Sequence, residues 1–101
     1  MLIREKDRQA VIALAKQTLN QPLEVLAYGS RVSGEAHDTS DLDLILKTQD
    51  NSRINMNDFI NFKEALQNSN IPIIVQVLDW QRVPESFHKN ILQNYVKMIE
   101  I

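Results

Sequence analysis

A chain of 101 residues with 44% hydrophobic and 24% charged residues reads as one small globular domain spanning 1–101, and its net charge of -2 gives no sign of a general nucleic-acid or membrane-surface binder. The absence of cysteine excludes disulfides, thiolate catalysis and cysteine-based zinc sites. No apolar run approaches the length of a membrane span, and the start, Met1-Leu2-Ile3-Arg4-Glu5-Lys6-Asp7-Arg8, is too charged for a signal peptide, so the expected location is the cytoplasm.

In chain order, Ile3, Val11, Leu14, Ala15 and Leu19 recur at roughly helical spacing and predict a helix over 4–19, ended by Asn20 and Pro22. Leu23 to Tyr28 reads as a short buried strand. Gly29 to Thr39 reads as a loop, with room for one helical turn over Arg31-Val32-Ser33. Leu42 to Lys47 is a strand by its alternation of Leu42, Leu44 and Leu46 with Asp41, Asp43 and Ile45. Asp50 to Asn55 is a polar linker. Asn57 to Asn68 is a helix with Phe59, Ile60, Phe62 and Leu66 expected on its inner side. Ile71 to Leu78 is rich in β-branched residues and reads as a strand. Pro84 suits a first helical turn, and the stripe Phe87, Ile91, Tyr95, Met98 and Ile99 extends the expected helix to about Ile99. The expected order is α-β-β-α-β-α: an α/β or α+β domain with a small sheet flanked by helices.

The chain has two glycines, Gly29 and Gly34, and they lie five positions apart, which concentrates its most permissive backbone in one place. Gly29 and Ser30 follow directly on a strand. A turn of this kind can present backbone N–H groups as an anion-binding concavity, Ser30 can add a hydroxyl donor, and Arg31 a charge-assisted one. Strand-Gly-Ser is also a common turn with no ligand at all.

Asp41 and Asp43 carry more information. Aspartate is depleted in strands, and positions i and i+2 place both carboxylates on one face while Leu42 and Leu44 face the core. Two like charges so close repel unless a proton or a cation intervenes. Mg²⁺ accepts such a carboxylate pair together with substrate phosphates and water. The plain alternative is a solvated strand face.

Taken together, Gly29-Ser30, ten intervening residues and Asp41-Leu42-Asp43 form the pattern G-S-x10-D-x-D, which resembles the signature of the DNA polymerase β-like nucleotidyltransferase superfamily. The longer stretch GSRVSGEAHDTSDLDLIL is similar to the minimal nucleotidyltransferase proteins, small members that often form the antitoxin half of HEPN–MNT pairs. A leading helix, and a later V-x-V-L-D-W strand (Val75 to Trp80) followed by a closing helix, extend the likeness over nearly the whole chain. The resemblance implies the nucleotidyltransferase fold. It implies Gly29, Ser30 and Arg31 as nucleotide-binding residues, and Asp41 and Asp43 as the catalytic, metal-holding pair. It also implies ATP as substrate, Mg²⁺ as cofactor, and transfer of AMP to a tyrosine of a HEPN-type partner. Gly34 matches a frequent position of the same turn.

One position departs from the pattern. Active members usually carry a third carboxylate in a V-D-[LV]-[LV]-D-W context, and that position holds Gln76, an amide that binds cations more weakly and cannot act as a base at neutral pH. Asp79 matches the second aspartate, before Trp80, and strand parity places it opposite Gln76. Three readings follow: a transferase acting on a partner protein, a degenerate nucleotidyltransferase-fold antitoxin that only binds its partner, or a small-molecule (antibiotic-type) nucleotidyltransferase. The short chain argues against the last, because such enzymes usually carry an added acceptor-binding domain. His37 and His88 lack ligand-type companions. Trp80 and Phe87 suit packing better than base stacking. Oligomeric state is not legible.

Overall fold

The computed structural model describes residues 3–34 and 41–101; the 35–40 stretch, which holds His37 and much of the expected loop, lies outside the described residues. In the described residues the chain runs α1 (Glu5–Thr18), β1 (Leu23–Tyr28), α2 (Ser30–Ser33), β2 (Leu42–Thr48), α3 (Met56–Gln67), β3 (Val75–Asp79), a 3-10 turn (Trp80–Arg82), α4 (Glu85–Gln93) and β4 (Val96–Glu100). The strands form one sheet of order β3-β2-β1-β4. β1 is antiparallel to both β2 and β4, and β3 is parallel to β2 across the connection that contains α3. No helix among the described residues is long and apolar enough to cross a membrane.

The mixed α/β architecture agrees with the sequence. α1 and α3 lie on one face of the sheet, where Val11, Ala15, Phe62 and Leu66 pack against Leu23, Val25, Ala27, Leu42, Leu44, Leu46 and Val77. The alternation of β2 thus sends its leucines to this side. On the other face Leu26 and Ile45 form a smaller core with Trp80 and Ile91, joined by Tyr28, Leu78, Val83 and Phe87. The central strands are therefore covered on both sides at their middle, which is why their sequences run nearly continuously apolar.

Three expectations are corrected. The closing helix does not reach Ile99: it ends at Gln93, and Val96–Glu100 is a fourth strand. The stripe Phe87, Ile91, Tyr95 and Met98 fits a helical period, but Tyr95 is 43% exposed. The deciding factor is the open edge of β1. A buried strand leaves N–H and C=O groups that must be paired, and β4 pairs them, with a register shift between Val25 and Leu26. Next, β3 begins at Val75 rather than Ile71. The Ile71–Ile74 segment, interrupted by Pro72, only approaches the sheet, and the Ile74 carbonyl accepts from Leu42 N–H at 2.9 Å. Finally, Ile60 is 46% exposed, because the face that meets α1 and the sheet runs through Phe59, Phe62 and Leu66.

α3 starts where Asn55 accepts a hydrogen bond from Asp58 N–H, an N-cap that satisfies one of the helix's unpaired donors. The two sides of this helix should respond differently to truncation. Phe62→Ala, which empties a fully buried position, is expected to cost about 3–5 kcal/mol in urea unfolding. Ile60→Ala should stay within about 0.5 kcal/mol of wild type. Equal losses at the two positions would contradict this orientation of α3.

Candidate active site

Three strands bring their chemistry to one end of the sheet. Because β1 and β2 are antiparallel, the end of β1 meets the start of β2, and Tyr28 pairs with Asp43. Because β3 is parallel to β2, its start arrives at the same place, and Gln76 pairs with Asp43 from the other side. Asp43 thus sits between Tyr28 and Gln76, and Asp41 lies just before β2 on the same side of the chain.

Gly29 closes this end. It has φ 84° and ψ -158°, a backbone region open essentially to glycine alone. A Cβ at Gly29 would lie 2.5 Å from Asp43 Oδ2, so the carboxylate occupies the space a side chain would need. One helical turn follows at once: Val32 and Ser33 N–H both donate to the Gly29 carbonyl at 3.0 Å, and Gly34, in the left-handed region at φ 90°, ends it. The turn expected over Arg31–Ser33 is therefore present, and its first residue is Ser30.

The electrostatics follow from crowding. Burial raises the Asp43 carboxyl above its ordinary value, and the neighbouring Asp41 charge raises it further. Burial likewise pushes the Tyr28 hydroxyl up to about 12, with the Asp43 charge adding to the effect. Tyr28 is held edge-on to Phe87, ring centroids 5.7 Å apart, so its ring is part of the second core. Gln76 donates its amide N–H to Asp41 Oδ2 at 2.8 Å. The position expected to carry a third carboxylate instead supplies a hydrogen-bond donor to one of the other two.

Asp79 points the other way. It is buried, accepts from Gln81 N–H at 3.1 Å to cap the 3-10 turn, and lies 3.5 Å from Arg82 Nε. Trp80 stacks on His88 at 3.8 Å and 3°, and the His88 Nε2–H donates to the Trp80 carbonyl at 2.6 Å. Trp80, Phe87 and His88 are thus packing residues. Arg31 lies apart from Gly29 in character: only 7% exposed, it lines a cavity with Asp7 of α1. Neither the Gln76–Asp41 bond nor Tyr28 as neighbour of Asp43 is legible in the residues alone, since both depend on strand register.

The donor set suits a hard divalent cation. No group of three or more acidic or histidine side chains gathers among the described residues. Two carboxylates on one strand face match the way Mg²⁺ is usually held, by one or two carboxylates completed by substrate phosphate and water.

Two outcomes test this geometry. Gly29→Ala should lower stability by about 1–3 kcal/mol for its backbone conformation alone, and the loss should be smaller when Asp43 is also Ala, because the carboxylate then no longer collides with the new methyl. Additive losses in denaturant titrations would contradict the close approach. The second outcome concerns pH. The raised Asp43 carboxyl means the folded chain keeps that proton to higher pH than the unfolded chain. Its contribution to stability is lost as pH rises through the raised value and restored as pH falls. Asp43→Asn should therefore melt above wild type at pH 7, with the gap closing as pH drops below the ordinary carboxylate range. A variant that melts lower at neutral pH would reverse the assignment.

Comparison with known proteins places the chain in a family and a fold. The family model described as "Polymerase beta, Nucleotidyltransferase" matches residues 9–100. A Haemophilus influenzae protein named "Probable protein adenylyltransferase MntA" is 33% identical over 96 residues, covering 95% of this chain and 82% of that protein. A structure described as "Crystal structure of the toxin-antitoxin with AMP-PNP" superposes with a TM-score of 0.71 over 93% of this chain and 73% of its own, at 17% identity, a likeness of fold. The chain belongs to the polymerase-β nucleotidyltransferase family, as a minimal nucleotidyltransferase domain.

Proposed function

We propose that this protein is a cytoplasmic antitoxin that transfers AMP from ATP, with Mg²⁺, to a HEPN-type helical toxin. The observation that carries the reading is the Asp41–Asp43 pair set against Gly29 at one end of the sheet. The similarity to the adenylyltransferase named above supports the reaction. The toxin–antitoxin description of the structural neighbour, which includes AMP-PNP, fits both nucleotide and partner.

In the reaction, an acceptor hydroxyl oxygen forms a bond to the α-phosphorus, the bond from that phosphorus to the bridging oxygen breaks, and pyrophosphate leaves with the electron pair. Gly29 and Ser30 would bind and orient the phosphates through backbone N–H groups and the Ser30 hydroxyl. Asp41 and Asp43 would hold Mg²⁺, which when bound neutralises the phosphate charge. Gln76 holds Asp41 in place through its amide but takes no proton, so the proton of the acceptor hydroxyl passes to water.

A second reading rests on the same residue. A site whose third position donates a hydrogen bond instead of accepting a proton can keep Mg·ATP and its partner while turning over poorly, which makes the protein an antitoxin by binding. The experiment is to co-express the chain with the neighbouring gene product and read the partner's mass for added AMP. Wild type should bind Mg·ATP calorimetrically, and the Asp41→Ala/Asp43→Ala variant should not. Gln76→Asp should raise transfer by about 10²–10⁴-fold if the missing base limits the rate. Fast transfer by wild type that Asp79→Ala abolishes would instead make Asp79 the third carboxylate. Transfer by neither wild type nor Gln76→Asp leaves the binding antitoxin as the function.

A further inference from the structure

Across the end of the sheet, Tyr28, Asp43 and Gln76 form one row, Asp43 pairing in register with Tyr28 on one side and with Gln76 on the other. Residues paired in register share a face. The two-residue period puts this row on the side of Leu26, Ile45 and Leu78, so it borders the second core. Its two flanks are used differently. Gln76 gives its amide N–H to Asp41 at 2.8 Å. Tyr28 gives its ring to the core, edge-on to Phe87, but its hydroxyl makes no hydrogen bond with any other described residue.

The packing does not need that oxygen. A phenylalanine ring would make the same edge-on contact with Phe87. A half-buried hydroxyl without a partner gives up hydration for nothing, so in the fold alone the oxygen is a cost. Nor does it hold the carboxylate beside it: the Asp43 charge reaches the hydroxyl, yet no hydrogen bond joins the two. A phenol keeps its proton at neutral pH, so the position offers a standing donor at the candidate metal pair.

We infer that Tyr28 is a further nucleotide-binding residue: its hydroxyl donates to a phosphate oxygen of the nucleotide whose Mg²⁺ is held by Asp41 and Asp43. Phosphate is favoured over other ligand groups by the residues that follow. Tyr28 directly precedes Gly29 and Ser30, so three consecutive residues supply donors: a phenol, backbone N–H groups and a hydroxyl. Gln76 lies on the opposite flank of Asp43, which leaves Tyr28 to the phosphate side. The inference rests on the reading that this end of the sheet binds Mg·ATP.

The test is calorimetry of Mg·ATP on the full chain, with the melting temperature recorded for each protein. Tyr28→Phe should melt at or above wild type, because the contact with Phe87 is kept. It should bind Mg·ATP about 10–100-fold more weakly, the worth of a hydrogen bond to a charged group. Its affinity for Mn²⁺ alone, read by electron paramagnetic resonance, should match wild type, because the hydroxyl serves the phosphate and not the metal. Tyr28→Leu, which loses the ring as well, should melt lower. Equal Mg·ATP affinity in wild type and Tyr28→Phe would overturn the inference and leave Tyr28 a packing residue. A Tyr28→Phe that melts as low as Tyr28→Leu would overturn it too, making the hydroxyl part of the fold. So would a parallel loss of Mn²⁺ affinity, which would make Tyr28 an aid to Asp43. Failure of wild type itself to bind Mg·ATP is a separate result: it removes the functional reading, and the inference falls with it.

Discussion

An oxygen of Asp43 lies where any residue other than glycine at position 29 would place its Cβ. Most of the site's character depends on that contact. It brings the backbone at the end of β1 against the carboxylate at the start of β2, so a turn that can cradle phosphate and a carboxylate that can hold a cation are neighbours by construction. It also removes water from Asp43, which makes that group reluctant to carry its charge alone. The protein keeps a carboxylate in a place where only a counter-charge would make it comfortable, and the antiparallel register of β1 and β2 maintains this arrangement.

The parity of β3 divides its two polar residues between different tasks. Gln76 faces the site and bonds to Asp41, whereas Asp79, three residues on, is spent on the 3-10 turn and the Arg82 contact behind the sheet. Had the strand bulged before it, Asp79 would have turned to the face that carries Gln76. It stays in regular register with Leu46 instead. The amide at Gln76 therefore has no nearby acidic substitute on its own strand.

Much of this was readable from the residues alone. The alternation in Leu42–Lys47 located β2 and its acidic face, and the strand-Gly-Ser junction located the turn. The closing strand was not readable, because Val96-Lys97-Met98-Ile99-Glu100 carries apolar spacing compatible with either period and no Gly or Pro separates it from α4. What decides its state is the open edge of β1, a partner distant in sequence. Ile60 was misplaced because four apolar residues within one short helix exceed what a single face can bury. The burial of Arg31 was hidden for a similar reason: the cavity it lines is walled by residues distant in sequence, among them Asp7 and Ile73, and a basic residue beside Gly-Ser reads more simply as a phosphate ligand.

The outer strand has a kinetic meaning as well. Leu23 and Ile101 exchange backbone hydrogen bonds at 3.3 and 2.8 Å, so the beginning of β1 is zipped to residues from the far end of the sequence. Nearly the whole intervening chain must be ordered, or at least gathered in, before that ladder can close, and contacts of such long range are slow to form. During synthesis β1 waits with one flank unpaired until β4 emerges. That interval, rather than the finished fold, is when this small sheet is most open to joining the wrong strand.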